Sequence, residues 1–502
     1  MSALEVQPTV VHMLRSTAER WPGREAVVCG DVRLSYAQYL QAIAAFAAEL
    51  RDLGARGERV ALVMANGADI CIATFATHAA GAQVVPLNPL YTARELGAIL
   101  EDAAPRVIVY DEALAATVEP LVGPSGAVAA IRIGGAAGRR LHEACGPATL
   151  PEPLPQPVDL ATLQYTGGTT GRPKGVNLTH RSIATNIAQR ESILPAGRDG
   201  ERILCVMPLF HIYAVAMCLH NAANCGGTLV ILPRFTPEAL FELVPRERIT
   251  ILAGSPTVFT ALVKHEQFSS RHFQGLHMSY SGSAPLPEAL LRRWEQASGA
   301  PVLEGYGQSE AGPVLTFNPL HGVRKPQSVG IPLPETTIEI VDAQDGATRL
   351  SAGQIGEIRA RGAQLMQGYR NRPEETAQAL RDGWLYTGDL GEFDADGYLY
   401  IRDRKKDMVL VSGFNVYPRE VEEILCQHPG VLEAAVIGVP DEYRGSLVKA
   451  FVVRRADAPL DEGALDVHCR QSLAAYKVPR QYVFLDRLPK TAVGKTDKQR
   501  LA

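Results

Sequence analysis

Between residues 58 and 110 the chain alternates short continuous apolar runs with segments whose apolar positions recur at helical spacing. ERVALVMA (58–65) is bounded by polar and glycine signals, IATFATHAA follows with helical spacing, and then come QVVPL, TARELGAILEDA and RVIVY. That alternation predicts an α/β layer architecture with largely parallel strands. From Gly123 to Pro157 the composition shifts to Ala, Gly and Pro, ending in LPEPLPQPVD, which reads as a loose connector ahead of the next strand. A second shift comes at DADGYLYIRDRKKD (394–407), where a turn at Asp396 and Gly397, a short strand and a dense charge cluster mark a domain boundary. Beyond it VYPREVEEILCQHP is an amphipathic helix with proline near its first turn, AAVIGV and KAFVVR are strands and ALDVHCRQSL is a second helix, a small α+β unit.

A chain of 502 residues exceeds what one core usually supports, so more than one domain is expected. The 50 basic and 54 acidic residues leave a net charge of −4, without the basic excess that nucleic acid or an anionic membrane would demand, so any anion is held locally. Eight cysteines form no C-x-x-C pair and no Cys/His cluster at metal-ligand spacing, which suits a reducing, cytoplasmic setting. No signal-peptide core and no apolar run of membrane-spanning length is present.

The chemistry concentrates in loops. QYTGGTTGRPKG (164–175) combines glycines that let backbone approach a ligand, N–H and hydroxyl donors, and Lys174, a set suited to polyphosphate. An ordinary surface turn uses the same residue types. It is no Walker A loop, because Lys174 is followed by Gly175. MPLFHIYA (207–214) sets His211 among apolar neighbours, YSGSAPLP (280–287) is a second small-residue loop, EGYGQSEAGP (304–313) carries Tyr306, Ser309 and Glu310, and YTGDL (386–390) presents Asp389. Each alone has a bland reading as a core histidine or a turn.

In this order the motifs resemble those of the adenylate-forming superfamily: acyl-CoA synthetases, adenylation domains and luciferases. QYTGGTTGRPKG is similar to its phosphate loop, GYGQSE to its Y-G-x-[ST]-E motif, YTGDL to its [YFW]-x-T-G-D motif, RDRKKDMVLVSGFNVYPREVE to its hinge, and LPKTAVGKTDKQRL to its closing lysine motif. The resemblance covers essentially the whole chain and implies a large multi-sheet α/β N-terminal domain over 1–403. A small mobile α+β domain follows over 404–502, with its hinge near Lys406. It implies ATP, Mg²⁺ and coenzyme A as reactants, a small carboxylic acid as substrate, and room for a homodimer. By motif position, Thr166, Gly167, Gly168, Thr169, Thr170, Gly171 and Lys174 cradle the phosphates, with Thr170 also among the catalytic residues, and Glu310 holds Mg²⁺. Ser309 adds a hydroxyl near the phosphate; Tyr306, between Gly305 and Gly307 and after Glu304, stacks on adenine beside Gly282, Ser283 and Ala284. Asp389 and Arg404 bind the ribose, Lys495 bridges carboxylate and α-phosphate, Gly413 lets the pantetheine arm pass, and His211 gates the acid and thiol routes. The loop has T-G-G-T-T-G where T-S-G-T-T-G is more usual, which removes one hydroxyl.

The resemblance places the acid among Tyr213, Met217, Pro256, Phe259, Ser281, Gly282, Gly305 and Ala311, an apolar set without arginine. Relatives that take malonate carry Arg immediately before the motif tyrosine, where this chain has Gly305, and a second carboxylate buried without a partner is costly. The motifs look like fatty acyl-CoA synthetases and also like 4-coumarate ligases, with fatty acid preferred. The other readings are a free-standing adenylation enzyme loading a carrier protein, a nucleotide-binding sensor without turnover, and a luciferase-like oxygenase.

Overall fold

The computed structural model describes residues 4–501 except 136–137, 144–147, 167–172, 198–199, 412–413, 442–444, 456–458 and 492–494. By internal contacts the chain divides into two compact units, Met1–Thr337 with Ala360–Leu385, and Ile338–Arg359 with Tyr386–Ala502. The architecture is mixed α/β, a large N-terminal part and a smaller C-terminal one.

The first unit holds two large sheets. One runs in the order Gly368–Tyr369, Lys174–Thr179, Leu160–Thr166, Gln83–Leu87, Arg59–Val63, Val107–Asp111 and Ala129–Ile133. Its pairings are parallel from Leu160–Thr166 outward to Ala129–Ile133 and antiparallel at the other edge. The apolar runs of the sequence are these central strands, and Val60, Leu62, Val85, Ile108 and Val109 are inaccessible to solvent. Between them Thr92 caps the helix Ala93–Ala103 through a reciprocal box with Glu95. The second sheet contains Val314–Phe317, Val302–Gly307, Met278–Ser281, Ile251–Gly254 and Arg202–Cys205 as neighbours, parallel except at Val314–Phe317. Loops leaving the carboxyl ends of parallel strands are where such sheets bind ligands, and the 282–287 and 308–313 loops leave from there.

The second unit includes the strand Trp384–Phe393 from Tyr386 onward and the strand Leu399–Arg404, paired with Asp389 opposite Arg404. It also has a sheet of Val431–Asp441, Gly445–Arg454 and Gln481–Leu485, one face of which packs with the helices Pro418–Gln427 and Glu462–Ser472 around Val421, Leu425, Val436, Ala450 and Leu465. The 403/404 boundary read from the sequence falls inside this unit, because strands 386–404 make their contacts within it. The stretch read as a connector contains Ala129–Ile133, an edge strand parallel to Val107–Asp111. Among the described residues no helix is long and apolar enough to cross a membrane.

Candidate active site

In the first unit the strands Leu160–Thr166 and Lys174–Thr179 form an antiparallel hairpin that puts Thr166 opposite Lys174 and Tyr165 opposite Gly175. Its tip, with Gly167, Gly168, Thr169, Thr170 and Gly171, lies outside the described residues. The stem is firmly held. Tyr165 donates from Oη to Asp102 Oδ2 at 2.6 Å, and a Cβ on Gly175 would lie 2.8 Å from Leu163 Cδ1 and 3.1 Å from the Tyr165 ring. Gln164 Nε2 donates to the Phe210 carbonyl at 3.2 Å, which ties the stem to the turn before His211.

A second strand edge completes this region. Gly368–Tyr369 pairs antiparallel with Asn177 and Val176, and Tyr369 Oη donates to Glu310 Oε1 at 2.8 Å. The Lys174 ammonium lies 5.2 Å from the centroid of the same ring. Burial, and then the neighbouring Glu310 charge, push the Tyr369 phenol above its ordinary range, so it stays a donor. Tyr369 lies outside the sequence motifs and reaches this region through strand pairing, whereas Tyr165 lies inside the QYTGGTTGRPKG motif but was given no role there.

The loop after Met278–Ser281 carries Gly282, Ser283 and Ala284. Ser283 has φ +73°, a left-handed conformation that a non-glycine residue adopts under local constraint. Buried Glu304 accepts from the Leu286 N–H at 3.1 Å and braces that loop. Tyr306 and Ser309 follow on half-buried positions, and Gly307 lies so close to the Pro313 carbonyl that any Cβ would collide with it. His211 caps the short helix Ile212–Ala214, its Nδ1 accepting from the Tyr213 N–H at 3.2 Å, so a neutral ring carries its proton on Nε2. Beyond that helix Val215–His220 forms a π-helical turn that includes buried Met217.

The residues that the resemblance assigns to the acid are buried except Gly305, which is half-buried. Tyr213 bonds the Gly254 carbonyl at 3.1 Å and its ring stands 2.9 Å from where a Gly282 Cβ would be. Ser281 and Ala311 are inaccessible. Pro256 begins the helix Pro256–Lys264, and Phe259 on that helix packs on Trp294 with centroids 4.8 Å apart, in an aromatic core. Phe317, missed by the sequence reading, sits opposite Gly305 in the strand pair, and its ring carbons lie 2.5–2.7 Å from where a Gly305 Cβ would be. The direction in which a side chain at 305 would extend is therefore filled by a phenyl ring.

In the second unit Arg404 Nε lies 3.4 Å from Asp389 Oδ1. Thr491 N–H donates to the Lys495 carbonyl at 2.7 Å and Lys495 N–H to Thr491 Oγ1 at 3.2 Å. Burial and Arg404 lower the Lys495 pKa from 10.5, and Asp389 opposes them, so the three charges named from separate motifs act on one another. Lys498, by contrast, is in an ion pair with Glu422 at 2.8 Å. Lys406 is exposed in the turn after Arg404, and Gly413 lies outside the described residues.

The motifs offer Glu310 as a carboxylate for a divalent cation, and no cluster of three metal-ligating side chains occurs among the described residues. That fits Mg²⁺, which keeps waters and takes phosphate oxygens rather than a protein cage.

The order of the motifs along the α/β fold, from the glycine- and threonine-rich segment to the closing lysine, is that of adenylate-forming enzymes, and comparison with known families shows the same class. The chain belongs to the AMP-binding enzyme family, in its acyl-CoA synthetase branch, and is an acid–thiol ligase. The family model for the AMP-binding enzyme matches residues 14–370, and that for the AMP-binding enzyme C-terminal domain matches 420–495. The chain is 37% identical over 528 residues to a long-chain-fatty-acid–CoA ligase of Bacillus subtilis (strain 168), covering 98% of this chain and 94% of that one. It is 38% identical over 482 residues to a feruloyl-CoA synthase of an Amycolatopsis species, covering 94% of each. The crystal structure of ATP-bound MatB from Rhodopseudomonas palustris superposes with a TM-score of 0.91 at 31% identity, over 98% of both chains.

Proposed function

We propose that the enzyme activates a fatty acid. The observation that carries this reading is the Phe317 ring against Gly305, which puts an apolar wall where relatives that take malonate carry Arg. The long-chain-fatty-acid–CoA ligase relative supports it. An aryl acid is the second reading, and the feruloyl-CoA synthase relative favours it.

A carboxylate is a poor electrophile with a poor leaving group. Its oxygen attacks the α-phosphorus of ATP, the bond to the bridging oxygen breaks, and pyrophosphate leaves with that electron pair. The thiolate of coenzyme A then attacks the acyl carbon, AMP leaves, and the thioester remains. Charge accumulates at the α-phosphoryl group in the first step, so fixed cations and donors carry most of the catalysis. In this reading the 166–171 loop and Lys174 hold the β- and γ-phosphates, Ser309 adds a hydroxyl, and Tyr306 with the 282–284 backbone holds adenine. Asp389 and Arg404 bind the ribose, and Lys495 brings its charge to the α-phosphate and the carboxylate. Glu310 would hold Mg²⁺, which neutralises phosphate charge when bound. Lys406 is the hinge between the two half-reactions, Gly413 admits the pantetheine arm, and His211 gates the entry of acid and thiol. This reading expects the cytoplasm as the setting and small molecules as reactants, and it leaves room for a homodimer.

The test is purified enzyme with ATP, Mg²⁺, coenzyme A and acids from octanoate to palmitate, with 4-coumarate and malonate alongside. A higher kcat/KM for an alkanoate supports the reading; a higher value for 4-coumarate or malonate overturns it. Omitting coenzyme A and following pyrophosphate separates the two half-reactions.

A further inference from the structure

Residues 366–376 form a strap that crosses the phosphate hairpin. Met366 N–H donates to the Glu310 carbonyl at 2.8 Å, Gln367 N–H to the Asn177 carbonyl at 2.9 Å, and Arg370 N–H to the Gly175 carbonyl at 2.8 Å. Arg370 Nε reaches the Asp102 carbonyl at 2.7 Å, and Tyr369 N–H donates to Thr376 Oγ1 at 2.9 Å. Gly368, at φ +148°, is required for this course, because a Cβ there would lie 2.8 Å from Thr376 Cγ2. The main chain on both sides of Tyr369 is thus tied down, and its side chain is left with two defined partners, Glu310 through the hydroxyl and Lys174 across the ring face.

We infer that Tyr369 is a positioning residue that sets the Glu310 carboxylate and the Lys174 ammonium in one fixed geometry for a metal–triphosphate. The inference rests on the proposed roles of those two residues. A carboxylate turns freely about its last side-chain bond, and a cation selects only some of its orientations. The Tyr369 hydroxyl occupies one lone-pair direction of Oε1 and thereby fixes the plane in which the others lie. On the other side, the ring face holds an ammonium whose four-carbon stem would otherwise sample many rotamers. Neither contact is made in a core, where tyrosine would be explained by packing: Tyr369, Glu310 and Lys174 are all half-buried.

Two substitutions separate the contacts. Tyr369→Phe keeps the ring and loses the hydroxyl; Tyr369→Leu loses both. Hydrogen bonds to charged groups are among the stronger ones, so Tyr369→Phe is expected to weaken metal binding roughly fivefold to tenfold. The direct readout is Mn²⁺ binding in the presence of ATP without acid or coenzyme A, followed by electron paramagnetic resonance. The kinetic readout is the half-saturating Mg²⁺ for pyrophosphate release, which should shift more than kcat does. Tyr369→Leu should add a rise in KM for ATP that Tyr369→Phe does not show. Melting of the ligand-free variants checks that each is folded, and Glu310→Gln is the control. If Glu310→Gln weakens Mn²⁺ binding and Tyr369→Phe leaves it within twofold, the positioning role is overturned while the metal reading stands. If Glu310→Gln leaves Mn²⁺ binding unchanged, the metal reading fails and the inference with it.

Discussion

Replacing Gly305 by alanine tests the proposed acid pocket most directly. The new methyl carbon would stand 2.5, 2.6 and 2.7 Å from three Phe317 ring carbons, whereas carbon atoms in favourable contact are about 3.5–4.0 Å apart. The ring must therefore retreat by roughly 1 Å. It has little room, being 2% exposed and packed edge-on against inaccessible Tyr280 with centroids 5.9 Å apart. Overpacking of this kind costs about 1–3 kcal/mol. Urea unfolding of Gly305→Ala should show that loss, and the double variant Gly305→Ala/Phe317→Leu should recover part of it, with a coupling of about 0.5–3 kcal/mol in the double-mutant cycle. In the acid panel the displaced ring should lower kcat/KM for the longer alkanoates more than for the shorter ones. A Gly305→Ala enzyme within about 0.5 kcal/mol of the parent, with an additive cycle, would refute the placement of Phe317 as the wall beside Gly305.

Lys495→Gln removes charge where it develops, so acid-dependent pyrophosphate release should fall by about 10²–10³-fold, while thioester formation from a supplied acyl-adenylate should be far less affected; equal loss in both assays would contradict the assignment. Because burial and Arg404 lower the Lys495 pKa, adenylation should decline as pH rises at values below the ordinary lysine range, measurable as the alkaline limb of the pyrophosphate-release profile. Burial pulls His78 to about 4 and His220 to about 3, below the usual 6.5. Both are neutral in the fold where the unfolded chain takes up protons, so stability is fully present above 6.5 and falls as pH drops toward 4. The slope is about 1.4 kcal/mol per pH unit for each histidine, and His220→Phe should flatten acid melting if it folds as the parent does.

The strands and helices between 59 and 111 were legible in the sequence because their strands are buried on both faces and read as unbroken apolar runs. Ala129–Ile133 was not: it is an edge strand in which only Ile131 and Ile133 are buried, and Arg132 pairs with Glu119 at the surface. The glycine- and threonine-rich segment stands out in the sequence because its composition serves no core, and the structure describes the strands that flank it. Phe317 and Tyr369 were hidden because cross-strand register brings them in, Phe317 opposite Gly305 and Tyr369 opposite Val176, and register leaves no mark in local composition. The compact units and the boundary read from the charge cluster divide the chain at different places. The charge cluster at 402–407 is conspicuous, but the pairing of 389–393 with 399–404 assigns those strands to the second unit.

The π-helical turn at Val215–His220 has a further bearing on the helix that follows His211. Such a turn holds one residue more than the α-helical turn it replaces. Deleting a single residue there would let the segment relax to ordinary winding, so that residues beyond the turn keep their faces while those within it, Met217 among them, are redirected. Chain length, as well as residue identity, is thus a means of redirecting Met217 and its neighbours, and a one-codon deletion would remodel that wall in a single step.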